Sequence, residues 1–325
     1  MKLLIAGFDG LDSRIFEFTD LEALKELRET SQWGTLRSEK METGASWTTV
    51  LTGWLAETHG LEGFMGAKVG NDVYFHCRPH DYIFDELTKV GYRVGVLNFP
   101  TMDVPRAIGE GCWTIGGWPH EPRTYPGTLE IPEDYYTDVA DYGMRSVSDR
   151  EPNIPHHYMW WPQQVMGATE YFEFARTNQL KRIEVAASAP PVDVLMIQCS
   201  VMDRAGHLLT NNPDYEGRGA LHPAYDQFIQ IVEWSVQELQ ERFQPEFLAL
   251  VSDHGYAGRH HSREGTWALK GPDVFPLRFD TDQENFMPTV LDALGIEVTR
   301  EGISVLILSS EQEAQSETLK ALGYL

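Results

Sequence analysis

The sequence contains no run of about 18 apolar residues, the length a membrane-spanning helix requires, so its 325 residues are expected to form a soluble globular protein. Cysteine is scarce. Cys77, Cys112 and Cys199 are odd in number and far apart, which argues against a disulfide framework and a CxxC zinc site and leaves buried, reduced thiols as the expectation. The opening MKLLIAGFDG has one lysine and a short apolar run with no small-residue cleavage segment after it, so a cytoplasmic location is expected. A GxSxG elbow and a GxxxxGK[ST] phosphate loop are both missing, which disfavours a serine triad and an NTPase. Positive charge is short as well. Against 49 acidic residues stand 26 Lys and Arg, a net charge of −23, which repels the phosphate backbone of bulk nucleic acid. A phosphate-bearing substrate would have to be drawn in locally, as bound cations would do. No internal repeat or low-complexity tract is present.

What is there alternates. Apolar runs at Leu3–Phe8, Arg93–Leu97, Val192–Cys199 and Phe247–Val251 read as strands covered on both faces, the habit of a parallel sheet. A helix is predicted over Ala224–Phe243, where Phe228, Ile231, Val232, Leu239 and Phe243 fall mostly at helical steps. The expected fold is therefore α/β, a mostly parallel sheet with helices on both faces. The stretch from Val104 to Ala186 breaks the rhythm with WPHEPRTYPG and HHYMWWPQQ, and is expected to be an insertion capping the sheet edge where ligands bind. The boundaries are then 1–104 and 187–325 for the two parts of the core, and 105–186 for the cap.

Chemistry-bearing residues cluster just after the predicted strands. Asp9 follows the first, Asp203 and His207 the third, Asp253 and His254 the fourth. The carboxyl ends of strands in an open α/β sheet form one rim, so these five are expected to meet there. A lone Asp in such a place can be a helix cap; two histidines have no such default. Carboxylates and imidazoles without thiolate suit a catalytic site for zinc, manganese or iron. Either His260 or His261, a few residues on, could add a further ligand. The segment METGASWTTVLTGWLAETHG supplies hydroxyls to the same rim at Thr43, Ser46, Thr48 and Thr49, and metal coordination can activate a hydroxyl without a neighbouring base.

In order along nearly the whole chain, GFDGLD, TGASWTTVLTGWLAETHGLEGF, GYRVGVLNFPTMDVP, MDRAGH, SDHGY, HSREGTWALKGP and MPTVLDALGI resemble the alkaline phosphatase superfamily, in its type I phosphodiesterase and nucleotide pyrophosphatase branch. The resemblance implies an alkaline-phosphatase-like sandwich and places Thr43, nine residues before Thr52, at the position of the nucleophile. It implies that Asp9, Thr43, Asp253 and His254 hold one divalent cation and that Asp203, His207 and a late histidine hold another, zinc first, with Mn²⁺ or Fe²⁺ as alternatives. His261 suits the family's HxxxG spacing before Gly265 better than His260 does. The Asn that the branch carries after its nucleophile has no counterpart in Ser46 or in LEGFMG.

The activity implied is hydrolysis of a phosphodiester or nucleotide pyrophosphate through a phospho-threonine at Thr43. Trp47 and the cap's Tyr158, Trp160 and Trp161 are candidate substrate contacts. The alternative is a phosphomonoesterase, whose extra phosphate charge Arg204 or Lys270 would meet. A sulfatase is disfavoured because no CxPxR stands at Thr43, and a mutase because that branch uses serine and a larger insertion. From another class comes a metal-binding pseudoenzyme that has kept only the fold. The expected partner is a small phosphoester.

Overall fold

The computed structural model describes residues 1–61, 68–69, 72–73, 81–100, 106–116, 123–131, 167–211 and 213–309. Strand β1 (Leu3–Phe8) is the middle of the molecule because LLIAGF is buried on both faces. It pairs in parallel with β8 (Val194–Cys199) on one side and β9 (Phe247–Val251) on the other. Beyond β8 lie β5 (Val94–Leu97) and β6 (Trp113–Gly116), both parallel, and then antiparallel β7 (Arg123–Tyr125). On the far side of β9 the antiparallel β12 (Glu264–Lys270) joins β2 (Gln32–Arg37), which also pairs with β13 (Leu277–Arg278) and β14 (Thr281–Asp282). Two short hairpins stand apart, β3 (Lys68–Val69) with β4 (Asp72–Val73), and β10 (Gly255–Ala257) with β11 (His260–Ser262).

The pleat sends alternate side chains of β1 to opposite layers. Leu4, Ala6 and Phe8 enter one core with α1 (Ser13–Phe18), α2 (Glu22–Thr30), α6 (Ala168–Ser188), α7 (Val201–Asn211) and α8 (Ile229–Phe243). Leu3 and Ile5 enter the other with α3 (Thr43–Thr52), α5 (Ile83–Lys89) and α9 (Phe286–Ala293). The short α4 (Ala56–His59) follows α3. This is the expected α/β sandwich, with a mostly parallel sheet and helices on both faces. The helix predicted from Ala224 begins at Ile229, after a 3₁₀ turn at Asp226–Phe228. It ends where Gln244 turns left-handed, φ +43, ahead of Pro245.

Part of the segment expected as a cap belongs to the sheet layers. β6 and β7 extend the sheet, and α6 buries Tyr171, Ala175 and Ile183 in the core beneath it. Apolar residues at Trp113–Gly116 make a strand as readily as those of β5; the prolines and glycines around them hid it in the sequence. Tyr158, Trp160 and Trp161 lie outside the described residues. Cys112 and Cys199 are buried, as expected, and Cys77 lies outside the described residues. No helix among the described residues is long and apolar enough to cross a membrane.

Candidate active site

The parallel strands deliver their acidic residues to one rim. Asp9 follows β1 directly, and Asp253 and His254 come two and three residues past the end of β9. Asp203 and His207 ride on α7 after β8, four apart and so on one helix face. Gly10 ties two of these strand ends together. The Asp203 N–H donates to the Asp9 carbonyl at 3.1 Å, and the backbone at Gly10 turns left-handed with φ +74. A Cβ there would stand 2.7 Å from the Asp203 backbone. Gly10→Ala is thus expected to cost at least about 2 kcal/mol, from left-handed strain plus the clash, and to weaken cation uptake. Urea unfolding alongside a metal titration checks both effects.

One set of donors surrounds His254 Nε2. Asp9 Oδ1 and Asp253 Oδ2 each lie 3.4 Å from it, and Thr43 Oγ1 lies 3.5 Å away. All four residues are buried. The His254 Nδ1–H faces the Gly255 carbonyl at 3.1 Å, an acceptor that fixes the tautomer and turns the Nε2 lone pair inward. The Ser252 hydroxyl braces the loop by donating to the His254 carbonyl at 2.6 Å while accepting the Leu11 N–H at 2.9 Å. The Gln283 amide donates to the Asp253 carbonyl from behind.

The second set is Asp203, His207 and His261. Asp203 Oδ1 lies 3.3 Å from His207 Nε2 and 2.9 Å from His261 Nε2, and the two imidazole nitrogens are 2.9 Å apart. The His261 Nδ1–H is held by the Met41 carbonyl at 3.0 Å. The choice between neighbouring histidines follows from the pleat. On β11 His260 points to solvent while His261 turns toward the site. The His254 and His261 rings stack with centroids 4.3 Å apart, so the two sets adjoin.

The electrostatics call for positive charge. Burial, with Asp9 and Asp203 nearby, lifts the Asp253 carboxyl well above the usual range, and its buried Oδ2 has no hydrogen-bond partner. Burial, with His261 alongside, pushes His254 down to about 3. Burial also lowers His207, against the pull of Asp203. Burial opposes charge on Asp203 and His261 too, yet His207 and then His261 hold the Asp203 carboxyl well below its ordinary value, and Asp203 holds the His261 imidazole above its own.

These donors fit divalent cations. A tetrahedron with bonds of about 2.1 Å has edges of roughly 3.4 Å, which matches the spacing of Asp9, Asp253 and Thr43 from His254 Nε2. In each set the carboxylate and imidazole donor atoms lie within 4.8 Å of one another.

The hydroxyls of α3 are sorted by their partners. Ser46 bonds the Lys40 carbonyl and Ser38 Oγ, fixing the loop whose Met41 holds His261. Thr48 and Thr52 bond carbonyls one turn back, and Thr49 meets His59 at 3.0 Å. Thr43, at the first turn of the helix, faces His254. Trp47 departs from expectation: it is fully buried, edge-on to Phe99 with centroids 5.2 Å apart, its indole N–H 3.5 Å from Asp9 Oδ2. It packs behind Asp9, where no substrate reaches. Arg204 is buried too, its Nε 4.0 Å from Asp203 Oδ2. Lys270 pairs with Glu26 at 2.8 Å beside Leu248, at the end of β9 away from Asp253. Gly10, Ser252, Gln283 and the Met41 carbonyl were not singled out from the sequence. Of these, Gly10 and Ser252 lie inside the motifs GFDGLD and SDHGY.

The family described as Type I phosphodiesterase / nucleotide pyrophosphatase matches residues 3–268, and the chain belongs to it. No curated protein matches the sequence. Among solved structures, murine ectonucleotide pyrophosphatase / phosphodiesterase 5 is similar in fold with a TM-score of 0.58 at 11% identity, over 93% of this chain and 97% of that one. An inactive form of that murine protein in complex with AMP gives 0.57 at 11% identity, over the same shares. A 2-O GAG sulfatase gives 0.56 at 11% identity, over 94% of this chain and 73% of that one.

Proposed function

We propose that the protein hydrolyses a small phosphodiester or nucleotide pyrophosphate in two displacements, with Thr43 as the nucleophile and two divalent cations, zinc foremost, held by Asp9, Asp253, His254 and Thr43 and by Asp203, His207 and His261. The observation that carries this reading is the near-equal spacing of Asp9, Asp253 and Thr43 around His254 Nε2, 3.4 to 3.5 Å. It makes a hydroxyl one of four donors in a set otherwise composed of metal ligands. Bound cations would lower the Thr43 pKa and offset charge on the phosphoryl oxygens. Thr43 releases its proton to solvent and attacks phosphorus in line; the Oγ–P bond forms as the bond to the leaving oxygen breaks, and that oxygen takes a proton from water. A water molecule then attacks the phospho-threonine, the Oγ–P bond breaks, and Thr43 regains a proton. The first N–H groups of α3 have no carbonyl within the helix to bond, and a helix start of this kind could donate to phosphoryl oxygens.

A diester is favoured over a monoester because the candidates for extra positive charge are engaged elsewhere, Arg204 buried against Asp203 and Lys270 paired with Glu26. The AMP held by the murine protein of like fold makes nucleotide diesters the first natural compounds to try. Initial rates on bis-(p-nitrophenyl) phosphate and p-nitrophenyl phosphate, with Zn²⁺, Mn²⁺ and Mg²⁺ varied in parallel, test the assignment. The diester is expected to react at least about tenfold faster; a preference for the monoester would transfer the protein to the phosphomonoesterases. A chain that binds the ions but turns over neither compound would be the pseudoenzyme.

A further inference from the structure

Asn98 closes β5 with a left-handed backbone, φ +65, and is fully buried. That conformation strains a residue carrying a Cβ and suits glycine without cost. The Asn98 N–H is engaged with the Ile115 carbonyl at 2.8 Å, a bond that glycine would also make. The reason for an asparagine here therefore lies in its side chain. Asn98 Nδ2–H donates to Gln198 Oε1 at 2.9 Å, and Gln198 Nε2–H donates to Ser200 Oγ at 2.9 Å. All three side chains are buried, so water does not compete for these bonds.

Ser200 is the hinge between β8 and α7. Its carbonyl accepts the Arg204 N–H at 3.1 Å, starting the helix that carries Asp203 and His207. On its strand side, the Cys199 carbonyl accepts the Asp9 N–H at 3.0 Å. Rotation of Ser200 would swing the first turn of α7, and Asp203 with it. Asp253 and His254 are held by Gln283 and Ser252 instead, from the other side of β1.

We propose that Asn98 is a positioning residue for the cation held by Asp203, His207 and His261, acting through Gln198 and Ser200 on the first turn of α7. The inference rests on the two-cation reading above and adds to it a residue just past β5 that is not among the ligands. Its test is titration of the metal-free full-length chain with Zn²⁺ against a competing chelator, together with thermal unfolding. Wild type is expected to take up two equivalents. Asn98→Gly, which accepts the backbone angle, should keep its melting temperature within a few degrees yet bind one of the two ions about 10- to 100-fold more weakly. Asn98→Asp, whose carboxylate cannot donate to Gln198 Oε1, should weaken the same ion, with a lower melting temperature from the buried charge. The weakened site should be the one that His207→Ala abolishes. Unchanged affinities in Asn98→Gly, an equal loss at both sites, or a loss confined to the site that Asp253→Asn abolishes would each overturn the inference while leaving the two-cation reading intact. A wild-type chain that takes up neither ion would defeat that reading, and this inference with it.

Discussion

Thr43→Ala is expected to lower kcat on a phosphodiester by about four or more orders of magnitude, the scale seen when a covalent nucleophile is removed, while leaving fold and cation content nearly as they were. The side chain is buried at the start of α3 and occupies little volume, and the helix keeps its Ser46 N–H bond to the Glu42 carbonyl whatever stands at position 43. Thermal stability should therefore move little. Thr43→Ser keeps a hydroxyl and should retain measurable turnover. Ser46→Ala, by contrast, should reduce the rate only through the loop that holds Met41, since the Ser46 hydroxyl is engaged with Ser38 and Lys40. Steady-state kinetics on the three variants, with metal analysis of each, separates the roles. Equal activity in Thr43→Ala and wild type would remove Thr43 from the chemistry.

Stripping the cations should have the largest effect on stability. Each ion bound at about a thousandfold above its Kd adds about 4 kcal/mol to the native state, so chelation should lower the melting temperature by on the order of 10 °C. The metal-free protein has its own signature. Asp253 is buried beside Asp9 with one oxygen lacking a donor, and its folded-state pKa is raised. A carboxyl with a raised folded pKa contributes stability below its unfolded pKa and loses it as pH climbs through the folded value. The Asp253 contribution to the metal-free chain therefore falls as pH rises above about 4, against the opposite contribution of His254 and His207, whose lowered folded values favour the native state as pH rises toward the ordinary imidazole value. Asp253→Asn removes that charge and supplies an amide donor, and should stabilise the metal-free chain at neutral pH by about 1–3 kcal/mol while abolishing one equivalent of bound metal. Calorimetry with and without chelator reads both halves. A variant less stable than wild type in the metal-free state would contradict the electrostatic account of this site.

Much of the fold was legible because strands buried on both faces write continuous apolar runs. β1 and β9 coincide with the runs at Leu3–Phe8 and Phe247–Val251, and β5 and β8 start one and two residues inside theirs. β12 and β6 were not foreseen. EGTWALK mixes charge with apolar residues as it crosses the sheet antiparallel, and WTIG is too short to stand out among glycines and prolines. The convergence of Asp9, Asp203, His207, Asp253 and His254 followed from strand-end topology alone, and the geometry brings them together. Ligand chemistry alone could not separate His260 from His261; the HxxxG spacing of the resemblance chose His261, and the two differ in which face of β11 they occupy. Nor could chemistry alone separate Thr43 from Ser46, Thr48 and Thr49; the resemblance chose Thr43, and the other three hydroxyls have hydrogen-bond partners of their own. Gln283, which braces the site from behind, carries no pattern of its own and becomes visible only when the chain is folded around it; Ser252 sits inside SDHGY, but its bracing bonds show only in the fold.

The central claim is that hydrolysis passes through phosphorus bonded to Thr43. The stereochemistry of the reaction at phosphorus tests it most directly, using a chiral phosphorothioate diester hydrolysed in isotopically labelled water. Two in-line displacements predict net retention of configuration. Net inversion would mean that water attacks the substrate directly, and would contradict the account.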